Sequence, residues 1–78
     1  MQYKYIHVSC FEYEVDEMRK KIKSHYHDKD KYWRTAIRIA NDLQLPIVTQ
    51  RETRIIGVIM QEMNINTRIY RGYKQFMI

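Results

Sequence analysis

The sequence predicts an α+β fold in one small domain spanning residues 1–78: an N-terminal strand, two or three helices and a C-terminal β-hairpin. Three observations carry this. Thr49-Gln50-Arg51-Glu52 fits a capping box, and Ile55, Ile56, Ile59, Met60 and Met63 follow it at helical spacing. Two short aromatic and β-branched runs, at 67–70 and 73–78, flank Arg71-Gly72 and read as a hairpin. Gly and Pro together number three, which argues for long elements and short connections without a flexible linker.

In chain order, Tyr3, Tyr5 and His7 alternate with Lys4, Ile6 and Val8, so β-formers dominate and a strand is expected at about residues 2–9. A lone strand leaves its backbone groups unpaired, so it is expected to pair with one arm of the hairpin. Residues 12–27 predict a helix with one apolar stripe of Val15, Met18, Ile22 and His25 or Tyr26. Glu12, Glu14, Asp16 and Glu17 would occupy its first turns and Arg19, Lys20, Lys21 and Lys23 its later ones, an order that complements the helix dipole. The polar break at 27–31 offers Asp28 or Asp30 as an N-cap. The following stretch, to Leu43, predicts an amphipathic helix with Trp33, Ala36, Ile37, Ala40 and Leu43 or Leu45 inward, Trp33 as its largest core anchor, and Arg34 and Arg38 outward. Pro46 is expected to end that helix. Only a few residues then precede Thr49, so the two helices have helix-turn-helix proportions, with an antiparallel helical hairpin as the main structural alternative. The last helix should stop near Asn64, a residue that tolerates the left-handed conformation.

A chain of 78 residues supports only a small core. A single cysteine, Cys10, excludes an intramolecular disulfide and fits a reducing compartment. With no secretory apolar region and no apolar run near 18 residues, a cytoplasmic location is expected and no membrane contact. The net charge of +5, from 14 Lys and Arg against 9 Asp and Glu, favours a polyanionic partner. His25 and His27, with His7 and Cys10, lack the spacing of a zinc site, and no motif supplies Cys10 with a base. No metal, no cofactor and no catalytic residue is therefore expected.

From Thr49 onward the chain resembles a winged helix-turn-helix domain, and more narrowly the C-terminal winged segment of primase-helicases from poxviruses, satellite phages and related mobile elements. The matching residues are the Thr49 start with Glu52 in the first turn, the helix end at Met63-Asn64-Ile65, and the basic hairpin with Arg68, Arg71-Gly72-Tyr73 and Phe76-Met77-Ile78. The family more often has Gly where this chain has Asn64, and a more basic wing. The resemblance implies a DNA-docking module without enzymatic activity, with the start of the last helix in the major groove. Gln50, Arg51, Thr53 and Arg54 would then face bases, where Arg suits guanine and Gln adenine. The amides at the helix start would suit a phosphate. Arg68, Arg71 and Lys74 on the hairpin, and Arg34 and Arg38, would meet the DNA backbone.

The expectation is a small DNA-binding regulator of transcription or a replication accessory factor of phage, viral or mobile-element origin, acting on double-stranded DNA and forming a homodimer. The apolar set of the last helix is wide, so Val58 or Met60 is expected to be exposed for a partner, and mid-helix Gly57 to permit close approach of another helix or a ligand. The alternative is a phage-encoded inhibitor that grips a host protein, such as a nuclease complex or polymerase, through Tyr13, Tyr26, Val58 and Tyr70.

Overall fold

The computed structural model describes the backbone of residues 2–78 and the side chains of residues 13–78. Six elements follow one another: α1 (Gln2–Tyr26), β1 (Trp33–Thr35), α2 (Ala36–Asp42), α3 (Gln50–Glu62), β2 (Thr67–Tyr70) and β3 (Tyr73–Met77). The strands form one antiparallel sheet in the order β1-β3-β2. The fold is α+β, three helices and a three-stranded sheet, in keeping with a small winged-helix-like domain.

The hairpin forms where expected. Arg71 and Gly72 both have positive φ, 51° and 82°, as a two-residue turn matched to strand twist requires. Its third strand comes from elsewhere. Residues 2–9 are helical, part of α1, and the strand expected there is absent. Both faces of that stretch carry apolar groups, so its alternation had no polar side to define a sheet face, and no Gly or Pro separates it from the helix that follows. The longer helix also moves Glu14, Asp16 and Glu17 out of the first turns, and the first turn holds no acid. Lys23 and His25 do lie in the last turn, where they complement the dipole.

The place beside β3 is taken by β1, with Trp33 opposite Met77, Arg34 opposite Phe76 and Thr35 opposite Gln75. Reciprocal bonds of 3.1 Å between the backbones of Tyr32 and Ile78 extend the pairing. The helix expected from about residue 31 therefore begins only at Ala36, and its cap is Thr35 rather than Asp28 or Asp30. The Thr35 hydroxyl oxygen accepts the Arg38 amide at 3.2 Å. Trp33 is on a strand and only partly buried. The shorter helix has a different inner face: Ile39 and Ala40 are buried, while Ile37 is 57% exposed.

Both α2 and α3 end in Schellman motifs. In α2, Gln44 takes φ 57°, its amide bonds Asn41 O and the Leu45 amide bonds Ala40 O. In α3, Asn64 takes φ 55°, its amide bonds Gln61 O and the Ile65 amide bonds Met60 O. Thus α2 stops at a local turn before Pro46 is reached. Among the described residues the core is one cluster. Val15, Met18, Ile22 and Tyr26 come from α1, Ile39 and Ala40 from α2, Ile55, Ile56, Ile59 and Met60 from α3, and Phe76 and Ile78 from the end of the sheet. Among the described residues, no helix is long and apolar enough to cross a membrane.

Candidate nucleic-acid interface

The start of α3 is built as the sequence implies. Thr49 Oγ1 accepts the Arg51 amide at 3.2 Å, and the Glu52 carboxylate accepts the Thr49 amide at 2.7 Å, completing a capping box. These bonds hold the Glu52 carboxyl below its ordinary pKa, the Thr49 side chain being the first cause. A phosphate at the helix start would have to meet this arrangement. The capping box uses the amides of Thr49, Arg51 and Glu52, and a carboxylate already stands at the positive end of the dipole.

What α3 presents is a stripe along its outer side. Gln50, Arg54, Val58 and Gln61 recur at helical spacing opposite the buried Ile55, Ile56, Ile59 and Met60, and all four are exposed. Of the two residues expected to be left over for a partner, Val58 is exposed and Met60 is fully buried. Arg54 has no ion pair or hydrogen bond among the described residues. Thr53 is half-buried and its hydroxyl donates to Gln50 O at 3.0 Å. Arg51 turns the other way, towards α1, where its Nε lies 3.1 Å from Glu14. The four residues expected to read bases are therefore divided: Gln50 and Arg54 share the outer stripe, and Arg51 lies on the α1 side.

Gly57 sits beside that stripe. A Cβ built on it meets nothing within 4 Å among the described residues, so Gly57 makes no close helix contact with them. Gly57→Ala is expected to stabilise the fold by roughly 1 kcal/mol, because Ala has the higher helix propensity and no clash offsets it. A thermal midpoint raised by about 4–8 °C is the corresponding readout.

Arg34 does not face solvent beside Arg38. Its side chain is 13% exposed, and its guanidinium donates to the Ile78 carbonyl and lies 3.5 Å from Asp42. It also stacks over Tyr26 and Tyr32, at 4.9 and 5.3 Å. Asp42 is the centre of this group: it accepts the Tyr26 hydroxyl at 2.8 Å and Arg38 Nε at 3.2 Å. Burial opposes ionisation of Asp42. The hydrogen bonds from Tyr26 and Arg38 and the charges of both arginines outweigh it and hold its pKa below the ordinary value. Burial first, then the bond to Asp42, raises the pKa of Tyr26. Arg34 is thus a structural clamp from sheet to helix, while Arg38 remains exposed at the surface. Tyr26, expected at a partner-binding surface in the alternative reading, belongs to the core.

The basic run of α1 is split. Arg19 holds Asp16 and Glu62, both at 2.6 Å, and so ties α1 to the end of α3. Lys20 lies 3.8 Å from Glu17, an i,i+3 pair. Lys20 and Lys21 line a cleft against the α2–α3 turn, with Asp42 on its opposite side. One unbroken cationic surface from α1 to Arg54 is not formed by these contacts.

On the hairpin the cations stand out, because no Asp or Glu occurs from Met63 to Ile78. Arg68 donates to Gln75 at 2.8 Å, and its guanidinium stacks against Trp33 and Tyr70, at 4.3 and 4.8 Å. Arg71 lies 5.3 Å from the Tyr70 ring and Lys74 5.8 Å from the Phe76 ring.

No family model, curated protein or solved structure matches this chain. The site is read from its own geometry. Among the described residues no three His, Cys, Asp or Glu side chains are grouped to hold a metal ion. The side chains of His7 and Cys10 lie outside the described residues. Sequence reasoning missed the Asp42 group and the placing of Trp33 beside Arg68. For the hairpin a signal existed: a two-residue turn at Arg71-Gly72 dictates the pairs Tyr70–Tyr73 and Arg68–Gln75. For Trp33 none existed, because three residues show no period.

Proposed function

We propose that the chain is a small DNA-binding protein of winged helix-turn-helix type, a regulator of transcription or a replication accessory factor of phage, viral or mobile-element origin. The observation that carries this is one continuous segment. A Schellman turn leads from α2 into α3, α3 presents Gln50, Arg54 and Gln61 outward, and a hairpin with three cations and no acid follows. In this reading α3 docks in the major groove, with Arg54 and Gln50 at base edges, and Arg68, Arg71 and Lys74 on the hairpin reach phosphates. Gly57 lets the DNA backbone come close to α3. Val58, exposed on the same stripe, lies at that interface in this reading.

Fluorescence anisotropy of a labelled duplex at low and moderate salt tests the reading. Binding should fall steeply with log salt, as counterion release requires. Arg54→Ala is expected to weaken duplex binding by roughly 1–3 kcal/mol with an unchanged thermal midpoint, because the side chain holds nothing within the fold. Arg51→Ala should cost less, since Glu14 already engages that guanidinium. Equal duplex affinity for wild type and both variants would remove α3 from the interface.

A second reading rests on a different observation. Tyr13 and Ile47, 66% and 65% exposed, edge a largely apolar cleft of about 300 Å³ between α1 and the α2–α3 turn, with Met18, Pro46 and Ile55 among its lining. Such a cleft suits a protein partner, in keeping with an inhibitor of a host nuclease complex or polymerase. Binding through it would be far less sensitive to salt.

A further inference from the structure

The face of the sheet turned away from the core carries its own chemistry. Phe76 is buried, so Met77, Gln75 and Tyr73 on β3 point to the opposite side. Register adds their partners to the same face: Trp33 opposite Met77, Arg68 opposite Gln75 and Tyr70 opposite Tyr73. None of these residues is buried, and Tyr73 is 69% exposed. The two cation–ring contacts of Arg68 join Trp33 to Tyr70 across the strands, and its bond to Gln75 keeps the guanidinium in place. Three rings and a guanidinium plane are thereby set in a row from β1 to the hairpin tip. The row spans roughly 13 Å along β3, four residues at the rise of a strand.

The exposed rings of Tyr70 and Tyr73 and the partly exposed ring of Trp33, held in register with Arg71 beside Tyr70 and no acidic residue on the hairpin, match one polymer in particular. Unpaired bases offer a flat π face to each ring and a phosphate to each cation, and they do so whatever the sequence. The geometry points to the outer sheet face as a stacking site for single-stranded nucleic acid, formed by Trp33, Arg68, Tyr70 and Tyr73 with Arg71 on the phosphates. This site is separate from the outer stripe of α3 and stands whether or not α3 reads a duplex. A base-paired duplex cannot use it in the same way, because its base faces are already stacked.

Trp33 is the only tryptophan of the chain and lies within the proposed site, so it reports on occupancy directly. The experiment is titration of the full chain with an oligo-dT of about 12 nucleotides, a length within the usual span of single-strand sites. Anisotropy of the labelled oligonucleotide and the emission of Trp33 are followed together, and an abasic oligomer of equal length and charge serves as control. Oligo-dT should bind and quench Trp33, and the abasic oligomer should bind at least about fivefold more weakly. Tyr73→Ala should lower oligo-dT affinity by a similar factor at an unchanged thermal midpoint. Tyr73→Leu, which keeps apolar bulk on the strand but has no ring, should lower it as well. Arg54→Ala should leave oligo-dT binding unchanged, which separates this site from the duplex reading. Equal affinity for the abasic oligomer, binding without a change in Trp33 emission, full affinity in Tyr73→Leu, or no binding of oligo-dT at low salt would each overturn the assignment.

Discussion

Ile59→Ala is expected to cost roughly 2–5 kcal/mol. Ile59 is fully buried in the middle of α3, among residues that α1, α2 and the end of β3 contribute. Removing its outer carbons loses their burial and leaves a space that three helices cannot close together. A domain of this size has little surplus, since whole-domain stabilities are only about 5–15 kcal/mol and small domains lie low in that range. Urea unfolding of the variant should show a midpoint well below wild type with an unchanged slope. Ile37→Ala is the matched control. The sequence placed Ile37 inward, but it is 57% exposed, so its truncation should fall within about ±0.5 kcal/mol. A large loss at Ile37 would contradict the inner face of α2 described above.

Asp42→Ala is expected to cost about 2–4 kcal/mol, for an electrostatic reason. The variant leaves the Tyr26 hydroxyl without its acceptor and the Arg34 guanidinium, mostly buried, without its carboxylate. Asp42 is itself 22% exposed, so the pair is neither a fully screened surface contact nor an isolated buried ion. The pH dependence follows from the lowered pKa of Asp42. A carboxyl with a folded pKa below its unfolded one binds its proton more tightly in the unfolded chain. Its stabilisation is therefore complete above the unfolded value, near pH 4, and is lost as pH falls through the lower folded value. Urea midpoints measured from pH 6 downward should fall less steeply in Asp42→Asn than in wild type. Parallel profiles would show that Asp42 contributes no stability that depends on its charge.

Much of the second half of the chain was legible because its determinants are local. The capping box needs only Thr49 and Glu52, three residues apart, and both bonds are present. Asn64 takes the left-handed conformation at the helix end, as a residue of its type does readily. Arg71-Gly72 sets the hairpin turn and, through it, the register of every pair between β2 and β3. The stripe of Val15, Met18, Ile22 and Tyr26 on α1 is likewise written in one helical period. The site was less legible. Sequence spacing placed Arg51 and Arg54 together, but only the packing of α1 shows that Glu14 draws Arg51 away.

What the sequence determined by itself, then, is the α+β composition, the start and end of α3, its buried stripe and the hairpin. Each depends on residues a few positions apart in the chain. Tertiary structure decided which segment completes the sheet. Trp33–Thr35 and Tyr73–Met77 are some forty residues apart, and a three-residue strand carries no period by which to recognise it. Pairing with β3 delays the start of α2 to Ala36, and that turns Ile37 outward, Ile39 inward, Arg34 onto Asp42 and Trp33 onto Arg68. Strand pairing is satisfied by backbone groups that every residue carries, so the choice of partner is made by the shape of the assembled core.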